Sequence, residues 1–183
     1  ESIIEYCILE YSRGGFDVAP DSGDNVIVSN NIMRHNLWTG LTIHENSNPL
    51  VTSNTIYQSG AHQGIAIFSN AILENNEITN CKVGIVIVSN ASPVIKNNTF
   101  IDNDFGITIV DNSTSTIEGN LISSPNGAQY DWTYKGEAIY PACTQEKNYG
   151  DVTGINIISS SPTITDNIIE NCANIIGIIG NSS

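Results

Sequence analysis

The sequence predicts an all-β solenoid of about seven coils, and three observations predict it. A unit of about 22 residues recurs along the 183-residue chain. Each unit contains short runs of period two, too brief for helices. Each also places Asn, Gly and Ser at matching points, where a chain of short strands has to turn. The clearest copy is Ser92 to Val110, SPVIKNNTFIDNDFGITIV. Strands of three to five residues cannot bury an apolar face alone. Stacked units can, because every Ile column continues into the unit above and every backbone group pairs with its neighbour.

The register follows from the Asn that precedes each hydrophobic pair. Aligned on it, the units begin at Asn30, Asn54, Asn76, Asn98, Asn120 and Asn167, with Tyr6 in the same place one step earlier. Three residues before each anchor stands Ile3, Ile27, Val51, Leu73, Ile95, Ile117 or Ile164. Two residues after it stands Ile8, Ile32, Ile56, Ile78, Phe100, Ile122 or Ile169. A glycine then opens the next strand: Gly15, Gly40, Gly64, Gly84, Gly106, Gly154 and Gly177. An inward Asn at a tight turn can hydrogen-bond its own backbone and the Asn of the next coil, which makes a ladder. The residues before it, such as Asn97, Asn75, Ser53, Gly119 and Asp166, are types that tolerate left-handed backbone.

Bulk composition narrows the function. Six Lys plus Arg against nineteen Asp plus Glu give a net charge of −13. That is too few cations for a nucleic-acid face or an anionic-membrane face. No apolar run reaches the roughly 20 residues of a membrane span, and no leader pattern opens the chain. The first residues already read as strand, so the chain is expected to be one β-helix domain, residues 1–183, within a longer protein. Cys7, Cys81, Cys143 and Cys172 lack zinc spacing. They read first as small core residues, with one or two disulfides open to them. Low Lys, abundant Asn, Ser and Thr, and an acidic pI point to a secreted or cell-surface location.

The repeat resembles the right-handed parallel β-helix family, the pectate-lyase-like superfamily, whose units read much like PVIKNNTFIDNDFGITI. The resemblance covers the chain except residues 124–152. It implies a right-handed parallel β-helix and, as a class of partner, a polysaccharide or glycan. Members include polysaccharide lyases, glycoside hydrolases, uronate epimerases, phage tailspikes and surface proteins without known activity. In the family, the outer face of the Gly-Ile-x-Ile strand floors the substrate cleft.

On that face the outward columns are Asp17, Thr42, Ala66, Val86, Thr108 and Asn156, beside Ala19, His44, Phe68, Val88, Val110 and Ile158. The middle forms an apolar stripe that soluble monomers rarely leave bare. Its expected cover is the insertion at 124–152, which carries Tyr130, Trp132, Tyr134, Tyr140 and Tyr149. Tyr130, Trp132 and Tyr134, with Trp38, are candidate sugar-stacking residues, since such rings combine an apolar face with a polar tip. The alternative is a flap packed on Phe68 and Val88, or a subunit contact.

Near the N-terminal end, Asp17, Arg34, His44, Glu45 and His62 are the candidate catalytic residues. A lyase or epimerase acting on uronates needs a cation for the carboxylate and a base for the α-proton. Arg34 or Arg13 suits the first role, and His44 or His62 the second. A glycosidase needs two carboxylates, for which Asp17 with Glu45 is the available pair. His35 reads as structural, at an inward offset shared with Cys81, Asn103 and Cys172. No cofactor is expected, although Asp102, Asp104 and Asp111 leave a calcium site open. Two functions remain. One is an extracellular domain that binds a polysaccharide, with or without cleaving or epimerising it. The other is a non-catalytic structural or adhesive segment, oligomeric through the apolar stripe.

Overall fold

The short runs form strands, and the strands stack coil on coil. The computed structural model describes residues 2–57, 63–126 and 152–180. Three seven-stranded sheets, parallel throughout, run along it, and no helix occurs among the described residues. Sheet 1 contains Ser2–Glu5, Val26–Ser29, Leu50–Thr52, Ile72–Glu74, Val94–Lys96, Thr116–Glu118 and Thr163–Thr165. Sheet 2 contains Ile8–Glu10, Ile32–Arg34, Thr55–Tyr57, Glu77–Thr79, Thr99–Ile101, Leu121–Ser123 and Ile168–Glu170. Sheet 3 contains Phe16–Val18, Thr39–Ile43, Gln63–Ile67, Val83–Ile87, Phe105–Ile109, Thr153–Ile158 and Asn174–Ile179. One strand of each sheet makes a coil, and seven coils stack around a shared apolar interior. Ile56, Ile78, Phe100 and Ile122 line one interior column, and Val51, Leu73, Ile95 and Ile117 another, all fully buried.

Sheets 1 and 2 meet at a corner with one recipe. Tyr6, Asn30, Ser53, Asn75, Asn97, Gly119 and Asp166 all have φ between +53° and +65°. The next residue turns its side chain inward. There Asn31, Asn54, Asn76, Asn98, Asn120 and Asn167 form a continuous ladder. The backbone N–H of Asn54 donates to Asn76 Oδ1 at 3.0 Å, that of Asn76 to Asn98 Oδ1 at 2.9 Å, and that of Asn98 to Asn120 Oδ1 at 2.8 Å. Each side-chain amide also donates backward: Asn98 Nδ2 reaches Leu73 O and Lys96 O, both at 3.0 Å. The interior amides thereby find partners both in their own coil and in the coils on either side.

The ladder corrects the register of the first two coils. The inward residues are Cys7 and Asn31, not Tyr6 and Asn30: Cys7 N–H donates to Asn31 Oδ1 at 3.0 Å, and Asn31 N–H to Asn54 Oδ1 at 3.0 Å. The pairs Val28↔Val51 and Met33↔Ile56 follow, so Val28 and Met33 are buried while Ile27 and Ile32 are only half-buried. A one-residue slip exchanges inside for outside along a whole strand. Cys7, Cys81 and Cys172 are thiols. Each Sγ lies 3.3–3.4 Å from the carbonyl two residues earlier, the same backward reach that the ladder amides make. Burial pushes the Cys172 thiol pKa up. Cys143 lies outside the described residues. His35 is likewise corrected: it is a half-exposed turn residue at φ +53°, stacked on Tyr11, and Asn36 holds the inward place.

The glycine column in sheet 3 answers to close approach. A Cβ on Gly84 would stand 2.5 Å from Gly106 O and 2.8 Å from the Phe100 ring, and one on Gly106 2.5 Å from Gly154 O. In the last coil the register moves: Gly154 faces Ile175, and Gly177 pairs with Asn156 instead. At each glycine the side-chain alternation shifts, so residues three apart, such as Thr39 and Thr42 or Val83 and Val86, share the outer face.

Two outcomes follow from these contacts. Asn98→Ala, which strips partners from Asn76, Leu73 and Lys96 at once, should lower the unfolding free energy by on the order of 3 kcal/mol in a urea titration. Gly84→Ala should cost about 1–3 kcal/mol through overpacking, whereas Gly14→Ala, with nothing within 4 Å of its added Cβ, should leave the midpoint unchanged.

Candidate functional site

The outer face of sheet 3 has two parts. From Ala66 to Ile158 it is mainly apolar, interrupted by the buried Thr108 and Asn156. Ala66, Val83, Val86, Val88 and Val110 are buried in a cluster of their own, with Phe68, Phe105 and Ile158 packed against it. Segment 127–151, with Tyr130, Trp132 and Tyr134, lies outside the described residues. So does His62.

Over the first three coils the same face opens into a cleft of about 540 Å³, within the range of small-ligand sites. Alternation along the strands positions its walls. Leu41, Ile43, Ile65 and Ile67 point into the core, so Asp17, Thr42 and Ala66 point out, with His44 and Phe68 one step beyond. Trp38 enters from the turn before Thr39, and Arg13 from the turn before Phe16. The Arg13 guanidinium carbon sits 4.0 Å from the centroid of the Trp38 ring, a cation–π contact. Across the cleft, His44 Nε2 lies 3.7 Å from Asp17 Oδ1, and the imidazole stacks on Phe68 at 6.0 Å between centroids. The pair is partly exposed, so it orients the imidazole more than it stabilises the fold. Thr39 Oγ1 donates to Gly14 O at 2.8 Å and lies 3.1 Å from Thr42 Oγ1, which leaves Thr42 to donate to it. Gln63 completes the wall.

Of the residues singled out from the sequence, Asp17, Trp38 and His44 share this cleft. Arg34 does not join them. It projects from sheet 2, where its Nε donates to Glu10 and its Nη1 to Tyr57 Oη at 2.9 Å. Those two hydrogen bonds, the Tyr57 one first, raise its pKa above the ordinary guanidinium value. Arg13 is the guanidinium that lines the cleft. Glu45 lines a separate hollow of about 350 Å³ with Asn46, Asn48 and Ser69, so Asp17 and Glu45 do not flank one space. Asp102 accepts hydrogen bonds from Asn126, Asp111 is exposed, and no group of three or more His, Cys, Asp or Glu gathers among the described residues. Gln63 was missed because strict alternation from Ile65 puts it inside; the shift at Gly64 turns it out.

The architecture now has a family. A family model described as "Right handed beta helix region" matches residues 1–140. The chain belongs to that family. No curated protein and no solved structure matches it. Within this right-handed β-helix the cleft lies on the face that carries the glycine column.

Proposed function

We propose that this β-helix binds a polysaccharide along the outer face of sheet 3, outside the cell or at its surface. The observation that supports the reading is the convergence of Trp38, Arg13, Asp17 and His44 on one cleft of ligand size. An indole offers an apolar plate to a sugar ring, while the guanidinium, carboxylate and imidazole offer donors and acceptors for hydroxyls. Arg13 and Asp17 bring opposite charges, so the cleft does not share the strongly acidic balance of the whole chain. Calorimetric titration with soluble plant and bacterial polysaccharides tests this. Trp38→Ala should weaken binding about tenfold, close to 1.4 kcal/mol. Arg34→Ala, remote from the cleft, should retain wild-type affinity. Equal binding by Trp38→Ala and the wild type would remove the cleft from the account.

The His44–Asp17 contact favours a second reading, β-elimination on a uronate-containing chain. His44 would take the proton α to the carboxylate and later release it to solvent, and Arg13 would hold that carboxylate. The glycosidic C–O bond would break with its electron pair going to the leaving oxygen, which takes a proton from water. The product carries a new C=C bond. Rising ultraviolet absorbance from unsaturated uronates, lost in His44→Ala, is the expected signature. Binding without such a signal, on a panel of uronate polymers, assigns the cleft to recognition alone.

A further inference from the structure

Building on the glycan-binding reading, we infer that Gln63 reads two adjacent hydroxyls of the bound sugar and so selects rings that carry a gauche vicinal diol. The side chain is fully buried, yet neither its Oε1 nor its Nε2 has a hydrogen-bond partner. It lines the cleft. Its strand neighbours offer it nothing. On one side Gln63 pairs with Thr39, whose hydroxyl is already engaged with Gly14 and Thr42. On the other it pairs with Val83, an aliphatic member of the outer apolar cluster. A carboxamide left this way is costly, since each orphaned polar atom forfeits its hydration. A leucine would fill the same space without that cost.

The chemistry of the missing partner follows from the amide. Gln63 presents one acceptor and two N–H donors on adjacent atoms. A ligand that satisfies both must bring a donor and an acceptor side by side. Two neighbouring hydroxyls on a pyranose ring do so when they are gauche, either diequatorial or axial–equatorial. A trans-diaxial pair is splayed too far apart. A carboxylate supplies acceptors only and would leave Oε1 unpaired, so charge alone does not answer Gln63. Arg13 supplies donors only. Gln63 therefore adds a donor and an acceptor held on one rigid amide, and a site built to hydrogen-bond a hydroxyl strongly rejects ligands without it.

The test uses the whole chain with xylan, polygalacturonate and dextran, each intact and after periodate cleavage and borohydride reduction, which open vicinal diols and spare isolated hydroxyls. The wild type should bind at least one intact polymer and lose tenfold or more on its oxidised form. Gln63→Leu should bind the intact polymer at least tenfold more weakly and no longer distinguish the two forms. Its denaturation midpoint should equal or exceed the wild type's, which a merely structural glutamine would not allow. Gln63→Met, closer in shape, should behave the same way. Wild-type affinity in either variant, or a loss of stability with selectivity intact, overturns the role of Gln63 and leaves glycan binding standing. A wild type that binds none of the polymers overturns both.

Discussion

Everything in this molecule depends on one contact made six times along the interior corner, an asparagine amide that receives the N–H of the preceding coil and donates to carbonyls of its own and the preceding coil. The corner between sheets 1 and 2 is one left-handed residue followed by one inward polar residue. Such a corner leaves backbone groups facing an apolar interior, and water is not there to meet them. The asparagine supplies those partners, and its own Oδ1 and Nδ2 are satisfied by adjacent coils. Coil spacing, strand register and the columns of Ile all follow from keeping that amide in line. Cys7 ends the ladder, with a thiol reaching to Glu5 O where the amides reach backward.

A second constraint acts on sheet 3, and it shapes the surface. The glycine column lets successive coils approach until a Cβ would meet a carbonyl oxygen. The same closeness interrupts strict alternation, so two positions three residues apart both face outward. In the middle coils this adds Val83 to the apolar outer surface beside Val86. In the first three coils it brings Thr39, Thr42, Gln63 and Ala66 onto one wall. The cleft is thus a consequence of backbone packing, decorated by residues that the core does not constrain.

Charge and chemistry divide along the same line. The chain is strongly acidic, yet its few cations are placed unevenly. Arg34 is held by Glu10 and Tyr57 on sheet 2, and Lys96 pairs with Glu74 on sheet 1 at 2.9 Å. Arg13 instead sits over the Trp38 ring at the cleft, where its donors can meet a ligand.

The repeat itself determined much by sequence alone. Coils beginning at Asn54, Asn76, Asn98 and Asn120 are spaced by 22 residues, and their inward Ile columns, left-handed turn residues and outward columns could be read before any coordinates. The physical reason is that a solenoid poses the same local problem in every coil, so local residue choice and global position agree. Tertiary structure decided the rest, wherever one local pattern fits two registers. Asn30 and Asn31 are the same residue, flanked by unbroken apolar runs, and only pairing with the next coil tells the turn residue from the ladder residue. The alternation of Ile65 and Ile67 hides Gln63 inside until the close glycine contact turns it out. Arg34 and Arg13 are both plausible cations in sequence, and only the third dimension shows which has spent its donors on neighbours one coil away.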